Sequence, residues 1–501
     1  MKTMRLNITP ARVLFKRDPM LYGHFLEHFH RQIYGGVFEP GSPLADEDGF
    51  RKDVLEAMRK IRTPIIRWPG GCFVSSYNWK KGVGPVRTPV FDKAWRVEDP
   101  NTFGTDEFVK LCRKLDCEPY ICTNAGTGTA EEMSDWVEYC NLDHEGEFAR
   151  MRIANGFKEP HHVKFWSVGN ENWGAHEIGA KDTVEWGRFV RESAKMMQHV
   201  DPSTSLTAAA LVDLDWNVNL LRNCAKRLEW ISIHAYWDHI QATNDLAPYA
   251  RCMGYTAELE TDISKVRGLL TAMGLEKKIR IAFDEWNLRG WYHPNIHTEY
   301  QGRTPDEYIT PRDDNDINSS YTMADAVFSA CFLNTLHRNA DIVGMANFAP
   351  VVNTRGAIFT YPEGIVLRTT YHVFDMYVNL MGDTVIDSWA QEIEPYRTQG
   401  RKGEVVVDCV DCVATMDSVA GAIAVACVNK HEFEDREITI RLPISGSVSV
   451  TSLTGNSADD YNDIGRNNVY PIDNPGAILE KTENELRIKL PAHSVNIVRI
   501  G

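Results

Sequence analysis

Along most of this chain short apolar runs alternate with amphipathic stretches, and the alternation stops near residue 384. The runs are Leu21–Phe29, Ile65–Trp68, Pro119–Thr123, Val163–Glu171, Ser205–Leu211, Trp230–Tyr236, Arg280–Glu285 and Ile342–Asn347. They are short and rich in Val, Ile, Phe and Trp, which suits strands buried on both faces better than helices. Between them, apolar residues recur at helical spacing. Phe50, Val54, Leu55, Met58 and Ile61 mark one helix, and Leu259, Ile263, Val266 and Leu270 another. Thr105 is expected to cap the helix that carries Phe108, Leu111, Cys112 and Leu115, and Thr129 the one that buries Met133, Trp136 and Val137. Eight strand–helix units over residues 18–383 predict an α/β fold, a (β/α)8 TIM barrel. A doubly wound sheet is the competing architecture. It would show a glycine-rich phosphate turn after its first strand, and none is present.

Past residue 384 the helical period is gone. Val405–Val407, Ala422–Ala426, Ile438–Ile440, Val448–Val450, Leu486–Ile488 and Val495–Val498 read as strands between Gly, Asp and Asn turns. They predict a C-terminal β-sandwich, jelly-roll-like. Residues 1–17 also read as a strand, with Leu6, Ile8, Val13 and Phe15 apolar, and are expected to join it. The sandwich domain would then be 1–17 plus 384–501.

Two of the buried runs stop at carboxylates, Asn170-Glu171 and Asp284-Glu285. In parallel α/β folds the C-terminal tips of strands are where ligands bind. Two glutamates delivered there can serve as the carboxylate pair of glycoside hydrolysis, one attacking the anomeric carbon and one handling the proton. The plainer reading makes both pairs helix N-caps. It accounts poorly for the remaining strand ends, which carry His, Tyr, Trp and Arg. Glu27 is expected in the barrel mouth as an acceptor of sugar hydroxyls, and Arg67 as a buried cation that needs a carboxylate. Gly70-Gly71-Cys72 is a turn where backbone can approach a ligand. Asn170 would sit beside the acid, and Tyr236 is placed to orient the nucleophile. His24-Phe25-Leu26-Glu27-His28 matches a zinc signature, H-x-x-E-H, which needs a helix; the run around it reads as a strand, so no metal is expected. The segments 72–99, with Tyr77, Trp79 and Trp95, and 288–318 are long loops expected to close a pocket. Glu285, a nearby like charge, is expected to raise the pKa of Glu171.

Charge narrows the partners. The formal net charge is −15, which disfavours nucleic acid and anionic membrane. No run reaches the length of a membrane span, and the first residues have no signal-like apolar core. The eleven cysteines are odd in number and scattered, Cys409 and Cys412 included, which suggests reduced structural thiols in a cytoplasmic protein.

Tyr22-Gly-His-Phe-Leu-Glu27-His, Arg67-Trp-Pro-Gly-Gly-Cys72-Phe, Tyr77-Asn-Trp79, Gly82-Val-Gly-Pro85, Phe103-Gly-Thr-Asp-Glu-Phe108, Gly169-Asn-Glu171 and Asp284-Glu285-Trp286 occur in this order. As a set they resemble the α-L-arabinofuranosidases of glycoside hydrolase family 51. The resemblance runs from about residue 20 to 380 and is consistent with the sandwich. It implies a retaining, exo-acting enzyme that frees terminal arabinofuranosyl groups from arabinose-containing oligosaccharides. Glu171 would be the acid/base and Glu285 the nucleophile. Glu27, Cys72, Trp95, Asn170, His234 and Tyr236 would bind substrate. No cofactor is implied, and a homo-oligomer, commonly a hexamer, is. Two positions depart from familiar members, which carry Asn at the place of Cys72 and Gln near Pro350. These departures keep a β-D-galactofuranosidase open as a second reading. An endo-glucanase or β-xylosidase of the same clan stays open as well, and so does a non-catalytic carbohydrate-binding protein.

Overall fold

In the computed structural model of this protein, residues 4–239, 246–290 and 316–501 are described. Most of the loop expected over 288–318 lies outside them. The chain opens with β1 (Met4–Lys16), β2 (Gly23–Phe25) and β3 (Ile65–Trp68). A small hairpin, β4 (Val90–Asp92) and β5 (Val97–Asp99), sits in the long loop after β3. Then come β6 (Glu118–Thr123), β7 (Phe165–Val168), β8 (Ser205–Ala208), β9 (Trp230–His239), β10 (Arg280–Gly290) and β11 (Val343–Phe348).

Eight of these form one parallel sheet in the order β8-β7-β6-β3-β2-β11-β10-β9. The sheet curls shut. Ala209 bridges Ser232, and the Ala210 N–H donates to the Ser232 carbonyl at 3.0 Å, so β9 meets β8. The result is a (β/α)8 barrel. Its floor is an apolar plug of Ile65, Tyr120, Phe165, Trp230, Ala282 and Met345, each from a different strand. Helices pack outside on a larger apolar layer. Side chains cap several of them: Thr129, as the sequence suggests, accepts from the Glu132 N–H, and Asp182 from Val184 and Glu185. Thr105 does not. Gly104 holds the cap position, the Glu107 carboxylate accepts its N–H, and the Thr105 hydroxyl accepts from the Trp136 indole instead.

After β11 a second hairpin, β12 (Ile358–Tyr361) and β13 (Gly364–Leu367), precedes the last barrel helix, Thr369–Leu380. β14 (Thr384–Gln391) then enters a ten-stranded sheet that wraps its own core of Leu6, Ile386, Val425, Ile438, Ile488 and Val498. β1 lies inside this sheet, antiparallel to β14 and parallel to Arg436–Arg441. Val405–Val407 departs from the expected sandwich strand. It belongs to a separate hairpin, β15 (Pro395–Gly400) and β16 (Gly403–Asp408), that leaves the sandwich and leans on the barrel helix Tyr249–Gly254. No helix among the described residues is long and apolar enough to cross a membrane.

Candidate active site

The C-terminal ends of the barrel strands open into a cleft of about 1080 Å³ that Glu27, Cys72, Trp95, Glu171, His234 and Glu285 help to line. Asn170 and Tyr236 line it too, so all eight candidate residues meet in one place.

The two central glutamates arrive differently. β7 ends at Val168, three residues before Glu171. Gly169 (φ +73°) and Glu171 itself (φ +43°) are left-handed, and a Cβ at Gly169 would fall 2.1 Å from Asn172 Oδ1. A non-glycine residue in that region carries strain that its surroundings must sustain. Here Asn172 Oδ1 accepts the Asn170 N–H at 3.1 Å and the Glu171 carbonyl accepts the Gly174 N–H at 2.7 Å. Glu285, by contrast, is not at a strand tip. β10 runs five residues beyond it, to Gly290. The pairing with β9 slips between Ala282 and Glu285, and the pairing with β11 between Phe283 and Trp286. Such a bulge bends a strand and re-aims side chains, which turns Glu285 into the mouth from within the strand.

Arg67 is completely buried and ties the floor of the site together. Its Nη1 donates to Glu285 Oε1 at 2.6 Å, its Nη2 to Asn170 Oδ1 at 2.7 Å, and its Nε pairs with Asp284 at 3.3 Å. The Tyr236 hydroxyl donates to Glu285 Oε2 at 2.6 Å. Asp284 faces inward and accepts from Tyr120 and Ser232 hydroxyls at 2.8 and 2.5 Å. Burial opposes its ionisation, but Arg67, His234 and Ser232 hold it below the usual carboxylate range.

Glu171 is bracketed by two imidazoles. His234 Nδ1 lies 2.8 Å from Oε1, and His176 Nε2 lies 2.9 Å from Oε2. Burial alone would raise its pKa, yet the hydrogen bonds and charge of His176 and His234 bring it well below the usual range. This reverses the direction expected from the sequence, because the imidazoles outweigh burial and the neighbouring carboxylate. Burial would lower His234, but Glu285, Asp284 and Glu171 push it up to about 10. His176 is also raised, chiefly by its bond to Glu171.

Glu27 accepts the Phe73 N–H and the Trp95 indole N–H, each at 3.0 Å on Oε1. Burial raises its pKa to about 8 despite those donors. The Gly70-Gly71 pair makes room for this carboxylate: a Cβ on Gly70 would lie 2.5 Å from Glu27 Cγ, and one on Gly71 2.8 Å from both carboxylate oxygens. Cys72 is half-buried beside Glu177, and burial lifts its thiol well above the ordinary value. The H-x-x-E-H residues do not converge. Gly23–Phe25 is strand, His24 packs on Phe374, and His28 spans Asp99 and the Trp68 indole at 2.8 and 3.0 Å.

Four of the lining residues that escape sequence reasoning bear directly on the chemistry. His176 and Arg355 line the cleft, the latter past β11 with its guanidinium 4.6 Å from the Tyr236 ring centroid. Arg401 comes from the β15–β16 hairpin, and Glu258 from the segment after the helix Tyr249–Gly254. Only His176 carries a usable signal, five residues after Glu171 in the same turn.

Residues 57–252 match the family described as alpha-L-arabinofuranosidase 1 domain, and residues 284–494 match the alpha-L-arabinofuranosidase C-terminal domain. A probable alpha-L-arabinofuranosidase C of Aspergillus niger is 34% identical over 99% of this chain and 96% of its own. An intracellular exo-alpha-(1->5)-L-arabinofuranosidase of Halalkalibacterium halodurans is 32% identical over 97% of this chain and 96% of its own. The solved structure of an alpha-L-arabinofuranosidase from Thermotoga maritima, in complex with arabinose, superposes with a TM-score of 0.88 at 32% identity. It covers 99% of this chain and 100% of that one.

Proposed function

The chain belongs to the α-L-arabinofuranosidases of glycoside hydrolase family 51, and from that premise we propose that it frees terminal arabinofuranosyl groups from arabinose-containing oligosaccharides by double displacement with retention. The observation that carries this reading is the spacing of the two glutamates. An oxygen of Glu171, a nitrogen of His234 and an oxygen of Glu285 all lie within 4.8 Å of one another. So close an approach suits direct attack by one carboxylate better than the wider spacing that leaves room for a water.

In the first step a Glu285 oxygen attacks the anomeric carbon while the bond to the leaving oxygen breaks. Glu171 gives that oxygen its proton. The product is a glycosyl ester on Glu285. In the second step Glu171, now anionic, takes a proton from water, and the water oxygen attacks the same carbon. The ester breaks, arabinose leaves, Glu285 is restored, and the proton taken from water returns to Glu171 and the imidazoles that share it. Arg67 and Tyr236 hold Glu285 in position for attack. His234 and His176 hold the proton that Glu171 must deliver, 2.8 and 2.9 Å away. His176 is 46% exposed, so a substrate entering over Glu171 can displace it. Its departure raises the pKa of Glu171 at the moment the leaving oxygen arrives. Glu27, Cys72, Trp95 and Asn170 line the end of the cleft that receives the sugar.

Turnover of aryl α-L-arabinofuranoside, β-D-galactofuranoside, β-D-xyloside and β-D-glucoside tests the substrate. We expect the arabinofuranoside to lead by more than about tenfold, the scale of a change in a few pocket contacts. Preference for the galactofuranoside would assign the effect to Cys72 and Pro350 and overturn the sugar while sparing the mechanism. A cytoplasmic location and a hexameric assembly belong to the same proposal. The intracellular name of the H. halodurans relative supports the first, and light scattering on the purified protein tests the second.

A further inference from the structure

Hairpin β15–β16 belongs in sequence to the sandwich, yet it is fixed to the barrel. The Thr398 hydroxyl bonds to the Ala250 carbonyl, and Gly254 passes so close that a Cβ there would fall 2.1 Å from the Gln399 carbonyl oxygen. The turn between the strands presents Arg401. Its Nε pairs with Glu258 at 3.0 Å, and its Nη2 donates to the Tyr236 carbonyl at 3.3 Å. The guanidinium carbon stands 5.3 Å from the Tyr255 ring centroid. Tyr236 thus holds Arg401 by its backbone and Glu285 by its side chain.

Arg401 lines the same cleft as the two glutamates, in company with Glu258, Thr261, Asp262 and Lys265. The cleft therefore has two ends of different character. At one, Glu27 and Trp95 are buried and bonded to each other, Glu27 also accepts a backbone N–H, and Asn170 is buried against Arg67. At the other, the side chains are charged, longer and open, Arg401 being 35% exposed. A sugar whose anomeric carbon meets Glu285 fills the closed end. The group it is joined to must then extend toward the open one.

We propose that the β15–β16 hairpin completes a leaving-group subsite, in which Arg401 donates hydrogen bonds to hydroxyls of the sugar on the far side of the scissile bond. The ligand class is a neutral, hydroxyl-rich oligosaccharide. A guanidinium held at Nε and one Nη keeps a planar edge for vicinal hydroxyls, which an ammonium lacks. Glu258 fixes its orientation before substrate arrives, so little side-chain freedom is lost on binding. This inference rests on the arabinofuranosidase reading above.

The test compares α-1,5-linked arabinotriose with 4-nitrophenyl α-L-arabinofuranoside, whose leaving group offers no vicinal hydroxyls. For Arg401→Ala we expect the ratio of kcat/KM for arabinotriose over the aryl glycoside to fall about tenfold, mostly through KM, with the pH profile in place. Arg401→Lys, which keeps the charge and loses the fork, should restore less than half of that loss. Equal losses on both substrates, or an unchanged ratio, would overturn the subsite. Full recovery with Lys would overturn the role of the planar fork. Wild-type protein that cleaves neither substrate would instead remove the underlying activity, a result separable from any outcome with the variants.

Discussion

The two glutamates stand within 4.8 Å of each other and live in opposite surroundings. Glu285 is set in the body of a strand, 6% exposed, against a guanidinium and a phenol. Neither donor changes charge near neutral pH, since Arg stays protonated and phenols titrate near 10 or above. Glu171 hangs on a strained turn, with a more open side chain, against two imidazoles. Those partners do titrate. The contrast suits the roles proposed for the two groups. A nucleophile is wanted in one charge state throughout, whereas an acid/base must change state twice per turnover and needs neighbours that exchange protons with it.

The largest expected effect breaks the fixed half of that contrast. Glu285→Ala should cost on the order of 10⁵-fold in kcat on every leaving group, as for other essential nucleophiles, measured with aryl arabinofuranosides. Comparable activity in that variant would remove Glu285 from the role. Next, Glu171→Ala should cost roughly 10²–10⁴-fold on poor leaving groups and far less in the first step on good ones. Added azide should then recover turnover as a glycosyl azide of retained configuration. A loss independent of leaving group would undo the division between the two carboxylates. Tyr236→Phe removes one buried donor from Glu285 and should cost about 10–100-fold in kcat, the scale of one unsatisfied hydrogen bond. No loss there would mean that Arg67 alone positions the nucleophile.

The smallest effect sharpens the titratable half. His176 stabilises the anionic form of Glu171, whose pKa is lowered in the free protein. Removing that bond in His176→Asn raises the pKa of Glu171, so the group keeps its proton to higher pH. The alkaline limb of the kcat/KM profile should move upward by roughly one pH unit, with the acid limb in place. A downward move, or none, would exclude His176 as the partner that stabilises anionic Glu171.

Much of this is legible in the amino-acid order. Runs such as Val163–Glu171 and Arg280–Glu285 are too short and too apolar for surface helices and suit central parallel strands, so the barrel and its carboxylate-bearing mouth follow. The bulge under Glu285 is not legible. A slip in pairing depends on what β9 and β11 offer across the sheet, and no residue in Asp284-Glu285-Trp286 announces it. The charge state of Glu171 escapes for a related reason. Glu285 is visible in the sequence as a neighbour, whereas His176 reaches Glu171 only because Gly169 and Glu171 turn the chain back on itself. Gly70-Gly71 reads as room for a ligand, and the atoms that occupy that room belong to Glu27. Val405–Val407 has the pattern of any sandwich strand. Its departure toward Tyr249–Gly254 is decided by tertiary packing at Gly254, 149 residues before the Gly403 that starts β16.

The first strand of the sandwich bears on how the molecule is made. β1 leaves the ribosome early, and both of its sheet neighbours come from the last quarter of the chain; Asn7 and Gln391, which touch, are 384 residues apart. The barrel is therefore spelled out between neighbouring strands of a second sheet, like a clause between brackets. No single cut in the chain yields both bodies whole. Synthesis must carry β1 unpaired past the entire barrel before β14 and Arg436–Arg441 exist to receive it, so strands made late are the ones that fasten the first.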